Sequence, residues 1–287
     1  MLRVLPCLDS DAMAEERRRE LAMAHDEAAA LGRTAVEAAR RGWYAHGSSS
    51  VAWDDVVGAA RDAKVSIPPE AVLPEVAGEP FAETRVRVTN ETTLGAARRL
   101  VDAGARPLAL NFANGVYPGG GFLEGATAQE EVLCRSSALY ETLVGDPMYE
   151  AHARRSRPDS SDWAIYSPGV PVFRTDDGAT LRRPWLLDVL TCAAPYAPGV
   201  GQPESGDLLQ QRIHRVLAIA RAYGHAALVL GAWGCGAFRN DPVRTAGDFR
   251  AALEGEFAGA FAEVMFAIAD WSPSRRYLGP FREAFES

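Results

Sequence analysis

The strongest constraint on the fold is an alternation of strand-like and helix-like segments that begins at Thr84. Residues 84–89 and 107–112 have the short, largely apolar patterns of strands. Between them, residues 92–103 have a helical pattern that Thr92 or Thr93 can cap. Parallel strands joined by helices are covered on both faces. The pattern therefore predicts an α/β fold, with a mixed, largely parallel sheet flanked by helices.

The same alternation continues to the end of the chain. Further strands are predicted over residues 163–167, 170–174, 185–192, 225–230 and 262–269. Helices are predicted over 128–143, 207–223 and 241–254, with a last helix from Tyr277. Residues 146–161 are polar and rich in arginine, and they are predicted to form a surface excursion.

The first eighty residues have a different pattern. One long amphipathic helix is predicted over 11–41, with a break near Gly32, and a hairpin is predicted across 43–53. Residues 71–80 are predicted to form a loop because they contain two prolines. No change in composition marks an independent second domain. Residues 1–82 are therefore predicted to be a helical extension packed on a core of residues 83–287.

The charge of the chain restricts its ligands. It has 38 acidic and 30 basic residues, a net charge of −8, and Lys64 as its only lysine. This surplus of acid argues against direct nucleic-acid binding by broad phosphate neutralisation. No apolar run approaches the ~20 residues of a membrane span, and we expect no secretory signal. Cys7, Cys134, Cys192 and Cys235 lack metal-ligand spacing, which is typical of reduced thiols in a cytoplasmic protein.

Two glycine-rich loops are the clearest functional signal. The first loop (residues 111–125) contains Gly119-Gly120-Gly121, and the second loop (residues 231–240) contains Gly234 and Gly236. Each follows a predicted buried strand and precedes a predicted helix, which is where ligands bind in open α/β sheets. Consecutive glycines can direct several N–H groups at one anion. Neither loop is a P-loop or a dinucleotide fingerprint. The alternative is that the glycines merely make turns, which the triple glycine and the second loop disfavour.

Two adjacent acids, Glu130 and Glu131, follow the first loop at the start of a predicted helix. Acids complement the dipole of a helix in its first turn, so the pair has a structural explanation. Close to a phosphate-binding loop, the pair is also a catalytic candidate. Adjacent helical residues point about 100° apart, so the two carboxylates would do different jobs. One would anchor sugar hydroxyls, while the other would donate a proton to a leaving oxygen.

These motifs together resemble those of the poly(ADP-ribose) glycohydrolases. The triple glycine of residues 119–121, followed by Gln-Glu-Glu at 129–131, is similar to the signature of that family. Residues 111–114 resemble the bacterial-type branch, which is built on a macrodomain core. Residues 234–240 resemble its diphosphate-binding loop. The resemblance extends from about residue 17 to 281, although only the loops and the acidic pair are specific.

The resemblance implies a role for each motif residue. Glu131 would be the catalytic acid and base, and Glu130 would hold the hydroxyls of the terminal ribose. Asn114 would contact the same ribose, and Phe238 would press on a sugar of the substrate. The other substrate-binding residues implied, with glycine N–H groups holding the diphosphate, are Gly119, Gly120, Gly121, Gln129, Gly234, Cys235, Gly236 and Ala237. No metal and no cofactor are implied.

The implied activity is hydrolysis of the ribose–ribose O-glycosidic bonds of poly(ADP-ribose), mainly from chain ends, with release of ADP-ribose. The implied setting is a monomeric, cytoplasmic bacterial enzyme that reverses ADP-ribosylation in the DNA damage response, with ADP-ribosylated proteins as further partners. Two alternatives stay open. A non-catalytic ADP-ribose-binding macrodomain would have no use for the Gln-Glu-Glu run. An enzyme that removes single ADP-ribose units from proteins would use the same pocket.

Other residues carry weaker signals. Trp233 and Tyr196 would be able to stack on adenine, although aromatic side chains in loops more often pack locally. Cys134 follows the acidic pair on the same predicted helix and is expected to face the core.

Overall fold

The computed structural model describes residues 1–75 and 79–286, and its centre is an eight-stranded sheet. The strands of the described residues are β1 (Leu2–Val4), β2 (Trp43–His46), β3 (Ser49–Ala52), β4 (Val65–Ile67), β5 (Thr84–Thr89), β6 (Pro107–Ala113), β7 (Ala164–Arg174), β8 (Thr180–Ala193), β9 (Ala227–Leu230) and β10 (Glu263–Ala267). β2 and β3 form a separate antiparallel hairpin, which confirms the prediction over 43–53.

The other eight strands have the order β1-β5-β10-β9-β6-β8-β7-β4. Neighbouring strands from β1 to β8 in this order are parallel, whereas β7 pairs antiparallel with both β8 and β4. The predicted mixed, largely parallel sheet is therefore confirmed.

Helices cover both faces of this sheet. Within the described residues they are α1 (Asp11–Leu21), α2 (His25–Arg41), α3 (Asp54–Ala63), α4 (Thr93–Asp102), α5 (Gln129–Ser136), α6 (Leu139–Leu143), α7 (Pro147–Ala153), α8 (Ala197–Val200), α9 (Glu204–Ala222), α10 (Pro242–Glu254) and α11 (Leu278–Glu286). Alternate residues of β6 enter different cores, Leu108 and Leu110 on one face and Ala109 on the other. α9, α10 and α11 fill the first core, and α4, α5 and α6 the second, so both faces are buried.

The N-terminal helix differs from its prediction. The segment 11–41 is divided into α1 and α2 at residues 22–24, where Ala22 is extended, and not near Gly32. The two helices have different partners. Arg275 pairs with Asp9 and Asp11 at the start of α1, whereas α2 packs along α5. These tertiary contacts outweigh the helical propensity of the intervening residues.

The N-terminal segment also supplies both edge strands of the sheet. β1 pairs with β5, and β4 pairs with β7 at the opposite edge. The strands β1 and β4 and the helix α3 were not predicted. A division at residue 82 stays a prediction, and the loop predicted over 71–80 falls in part, at 76–78, outside the described residues.

Three predicted boundaries in the middle of the chain are wrong. The helix over 128–143 is interrupted at Ser137, whose extended backbone bridges to Val172 of β7. The strands over 163–167 and 170–174 form one strand, β7, with an irregularity between Ser167 and Val170. The surface excursion over 146–161 contains α7, which buries Met148, Tyr149 and His152. In each case a long-range contact decides the local structure.

Candidate active site

The two glycine-rich loops meet at one edge of the sheet. β6 and β9 are parallel neighbours, so the loops that follow them lie side by side at their carboxyl ends. A cavity of about 440 Å³ opens between these loops and the first turn of α5. The predicted site residues that line it are Asn114, Gln129, Glu130, Glu131, Gly234, Gly236, Ala237 and Phe238. The remaining predicted residues, Gly119, Gly120, Gly121 and Cys235, lie behind this lining.

Glu130 is buried at the base of the cavity, with 3% of its surface exposed. The backbone N–H of Asn114 donates to its Oε2 at 2.6 Å, and Asn111 Nδ2 donates to its Oε1 at 3.3 Å. Burial raises the pKa of Glu130 to about 8, which the Asn114 N–H opposes and the neighbouring Glu131 carboxylate reinforces. At neutral pH the Glu130 carboxyl group is therefore largely protonated.

Glu131 lies beside it with 8% of its surface exposed. The backbone N–H of Gly121 donates to its Oε1 at 3.0 Å, which fixes the carboxylate against the first loop. A Cβ atom at Gly120 would lie 2.3 Å from Glu131 Oε1 and 3.1 Å from Glu130 Oε2. Gly120 also has a φ of +58°, in the left-handed region. Only glycine fits between the loop backbone and the two acids.

The N–H groups of the triple glycine have acceptors within the protein. Gly120 N–H donates to the carbonyl of Tyr117 at 3.0 Å, and Gly121 N–H donates to Glu131. The Gly119 N–H is directed at Glu130 and lowers its pKa in part. A contact between these groups and a diphosphate stays a prediction. In the structure, the first loop uses its N–H groups to position the acids.

The second loop contributes Gly234, Gly236, Ala237 and Phe238 to the cavity wall. Turns within the loop are closed by Cys235 N–H, which donates to the Ala232 carbonyl at 3.1 Å, and by Asn240 N–H, which donates to the Gly234 carbonyl at 3.0 Å. Among the described residues, no acceptor pairs with the N–H groups of Gly236, Ala237 and Phe238. Three successive unpaired N–H groups at a cavity wall form a site for an anion.

Phe238 is anchored next to this anion site. Its carbonyl accepts from Ala197 N–H at 3.0 Å, and its ring packs edge-to-face on Tyr196, with centroids 5.8 Å apart. Tyr196 therefore supports Phe238 and does not line the cavity. Cys235 is buried, which raises the pKa of its thiol to about 12, and its Sγ points to the Trp233 carbonyl at 3.5 Å. The Cys235 side chain is directed into the protein.

The Trp233 side chain packs locally, which was favoured over stacking on adenine. The residue borders the cavity, but it has 0% of its surface exposed and its side chain belongs to the core beside the sheet. Two other aromatic residues line the cavity, the exposed Trp271 and the partly exposed Tyr277. Asp270 orders this segment by accepting from the N–H groups of Tyr277 and Leu278 at 2.8 and 3.1 Å. No local motif in the sequence marks these residues.

Gln129 has a structural role that the sequence did not indicate. Its Oε1 accepts from Phe112 N–H at 2.9 Å, and its Nε2 donates to the Leu110 carbonyl at 2.8 Å. These are backbone groups of β6 just beyond Ala109, the last β6 residue that pairs with β9. The Gln129 side-chain amide therefore takes the place of a neighbouring strand, because it bonds to the β6 backbone beyond the point where pairing with β9 stops. It thereby fixes the start of α5, and with it the two adjacent glutamates, on the sheet.

The described residues, 1–75 and 79–286, include no cluster of three or more His, Cys, Asp or Glu side chains arranged to hold a metal ion. Cys134, which follows the acids on α5, is buried in the core as predicted.

Comparison with known proteins identifies the family. Residues 32–175 match the family model for the catalytic domain of microbial-type PARG. The fold is similar to that of poly(ADP-ribose) glycohydrolase (PARG) from Thermomonospora curvata, with a TM-score of 0.84 and 44% identity, covering 90% of this chain and 98% of that chain. The same protein bound to the inhibitor ADP-HPD matches with a TM-score of 0.81 and 43% identity, covering 89% and 98%.

A second organism supplies a further match. PARG from Deinococcus radiodurans in complex with ADP-ribose has a TM-score of 0.74 and 41% identity, covering 80% of this chain and 96% of that chain. A search of curated proteins finds no match. The family model covers half of the chain, and these structures are matched over nearly their whole length. The chain belongs to the microbial-type poly(ADP-ribose) glycohydrolase family.

Proposed function

We propose that the chain hydrolyses the ribose–ribose O-glycosidic bonds of poly(ADP-ribose), mainly from chain ends, and releases ADP-ribose. The observation that carries this proposal is the single cavity that joins a fixed pair of glutamates to three unpaired backbone N–H groups. An acid next to an anion site is what cleavage of a sugar bond near a diphosphate requires. Relatives with this fold are described in complex with ADP-ribose and with the inhibitor ADP-HPD.

Glu131 is the acid and base of the proposed reaction. The Gly121 N–H holds Oε1, which leaves Oε2 for the substrate. In this step Glu131 holds a proton when the substrate binds and gives it to the leaving 2′-oxygen as the bond to the ribose C1″ breaks, and an oxocarbenium ion forms. The resulting carboxylate then takes a proton from the attacking water, so the same residue is restored at the end of the cycle. Proton transfer of this kind contributes about 10² to 10⁴ in rate.

Glu130 and Asn114 position the ribose. The pKa of Glu130, raised by burial, keeps a proton on the carboxyl group, so that it can donate to one hydroxyl and accept from another. The Asn114 N–H holds Glu130, and Asn114 lines the cavity. Its Oδ1 accepts from the N–H groups of Val116 and Tyr117, so its Nδ2 is the group left for the ribose. The ribose is thereby held with its C1″ against Glu131.

The second loop binds the diphosphate in this proposal. Gly236, Ala237 and Phe238 line the same cavity as the acids, and their N–H groups have no partner among the described residues. A diphosphate held there places negative charge near the oxocarbenium ion and stabilises it. Phe238, fixed by Tyr196, limits the space for the adjoining sugar. Trp271 and Tyr277 border the end of the cavity that is left for the adenosine.

No helix of the described residues is long and apolar enough to cross a membrane. We place the protein in the cytoplasm as a monomer that reverses ADP-ribosylation, including that of the DNA damage response.

The direct test is a gel assay of the wild-type protein on poly(ADP-ribose), with released ADP-ribose measured by chromatography. Shortening of the polymer with accumulation of ADP-ribose is the expected result. Binding of ADP-ribose without release would instead indicate the non-catalytic macrodomain. Activity confined to proteins that carry single ADP-ribose units would indicate the other alternative.

A further inference from the structure

A second concave surface lies on the outer flank of the first loop. We call it the arginine groove, and it is lined by Arg33, Val36, Glu37, Arg40 and Arg41 of α2, Leu123 of the first loop and Tyr140 of α6. None of these residues lines the cavity that holds the glutamates.

The first loop separates the arginine groove from that cavity. On its outer side the loop lies against α2. A Cβ at Gly32 would be 2.5 Å from the Phe122 carbonyl oxygen, and Arg33 Nη1 donates to the Leu123 carbonyl at 3.4 Å. On its inner side the same loop holds Glu131 through Gly121 N–H. Only one residue, Phe122, lies between Gly121, which holds Glu131, and Leu123, which lines the groove.

Two guanidinium groups in the arginine groove are available to a ligand. Arg41 is engaged, because it pairs with Glu37 at 3.4 Å and donates to the Trp43 carbonyl at 2.9 Å. Arg40 has no hydrogen-bond or salt-bridge partner among the described residues, and Arg33 has only its long bond to Leu123. Both side chains are exposed, in a chain whose net charge is −8.

The rest of the groove suits a nucleoside. The Tyr140 ring packs on the Phe122 ring with centroids 4.8 Å apart and is partly exposed. Glu124 and Glu141 lie near Tyr140 and oppose an anion there, so phosphate contacts in the groove fall to Arg33 and Arg40. Guanidinium groups beside an aromatic ring form a site for phosphate next to a base.

We propose that the arginine groove binds the diphosphate and adenine of the polymer unit on the leaving side of the scissile bond. This inference rests on the proposed function. In this proposal the terminal ADP-ribose fills the cavity with its ribose C1″ at Glu131, and the neighbouring unit passes over the first loop, which carries both the Gly121 contact to Glu131 and the groove residue Leu123. There it meets Arg33, Arg40 and Tyr140. The groove thus adds affinity for polymer that ADP-ribose alone does not gain.

The test compares polymer with monomer in the inactive Glu131→Gln background. Arg33→Ala/Arg40→Ala should raise the Kd for poly(ADP-ribose) oligomers of defined length by roughly 10-fold, and leave the Kd for ADP-ribose unchanged. The salt dependence of oligomer binding should become shallower by about one unit of log–log slope. The double variant Arg33→Lys/Arg40→Lys keeps the charge, so it should lose less affinity for the oligomers than the alanine double variant.

The matched control is Arg61→Ala/Arg98→Ala, which removes two exposed arginines outside both concave surfaces. If both alanine double variants changed the oligomer Kd equally, or if neither changed it, the proposed role of the arginine groove would be overturned. Absence of polymer cleavage by the wild type would instead overturn the proposed function, so the two failures are distinguishable.

Discussion

The first and second loops look alike in sequence, yet their N–H groups face different partners. Both follow buried neighbouring strands and both are rich in glycine. In the first loop, the N–H groups of Gly120 and Gly121 have protein acceptors, and Glu131 is one of them. In the second, the N–H groups from Gly236 to Phe238 have no acceptor among the described residues. The N–H groups of the first loop therefore position the acids, whereas those of the second loop are available to an anion.

The glycines themselves show the same contrast. A Cβ at Gly120 would collide with the carboxylate of Glu131, whereas a Cβ at Gly236 would meet nothing within 4 Å. Glycine is thus obligatory at one position and permitted at the other. Glycine content alone does not reveal whether a loop binds a ligand or makes room for a neighbouring side chain.

The largest effect that separates the loops is expected for Gly120→Ala. The methyl group must displace the Glu131 carboxylate, and a misplacement of about 1 Å costs roughly 100-fold in rate. Polymer turnover should fall by about that factor. The matched variant Gly236→Ala should retain turnover within a few-fold. Steady-state rates on poly(ADP-ribose) check this, and equal losses in the two variants would contradict the contrast between the loops.

Gln129→Ala should have the next largest effect. It removes the bonds from the Gln129 amide to the backbone of β6, so the first turn of α5 loses its attachment to the sheet. We expect kcat to fall roughly 10-fold, with a smaller change in KM, because the acids are misaligned and the anion site is intact. Gln210→Ala, an exposed glutamine on α9, is the control. A change in KM alone would show that Gln129 contacts the substrate directly.

Phe238→Ala tests the second loop with a smaller expected effect. Loss of the ring removes a wall of the cavity and the contact with Tyr196, so turnover should slow several-fold while the melting temperature changes little. Tyr117→Ala removes a 67% exposed aromatic side chain from the first loop and serves as the control. An unchanged rate for Phe238→Ala would remove that residue from the site.

The smallest effect concerns the pH dependence of stability. The pKa of Glu130 is about 8 in the folded protein and 4.5 as its ordinary value. Between these pH values the unfolded chain has released the proton that the folded chain keeps, so the free energy of unfolding falls as pH rises. Glu130→Gln should therefore gain stability over the wild type from pH 5 to 8, by on the order of 1 kcal/mol or more.

Denaturant unfolding across this pH range measures that gain. Glu70→Gln, at an exposed position, should show no such trend. A Glu130→Gln variant that tracks the wild type at every pH would show that burial does not hold a proton on Glu130.

Features that depend on residues close together in the chain were predicted correctly. The strand Thr84–Thr89 and the cap at Thr92 were found from periodicity and capping preference. Both loops were placed correctly at strand ends, and their chain neighbours Glu130 and Glu131 do line the cavity.

The remaining features depend on contacts between distant residues. The break at 22–24 follows from the different partners of α1 and α2, and the burial of Trp233 follows from its place in the core. The bonds of Gln129 to β6 and the position of Trp271 at the cavity wall link segments far apart in the chain. Contacts between residues that are distant in the chain produce no periodic pattern in the sequence, so they were not predicted.

The most direct test of the account is a pair of measurements on Glu131→Gln. The amide keeps the size of the side chain and can still meet the Gly121 N–H, but it cannot transfer the proton. Turnover of poly(ADP-ribose) should fall by at least about 100-fold, while calorimetry should give an ADP-ribose affinity close to that of the wild type. Retained turnover would contradict the assignment of Glu131 as the acid and base.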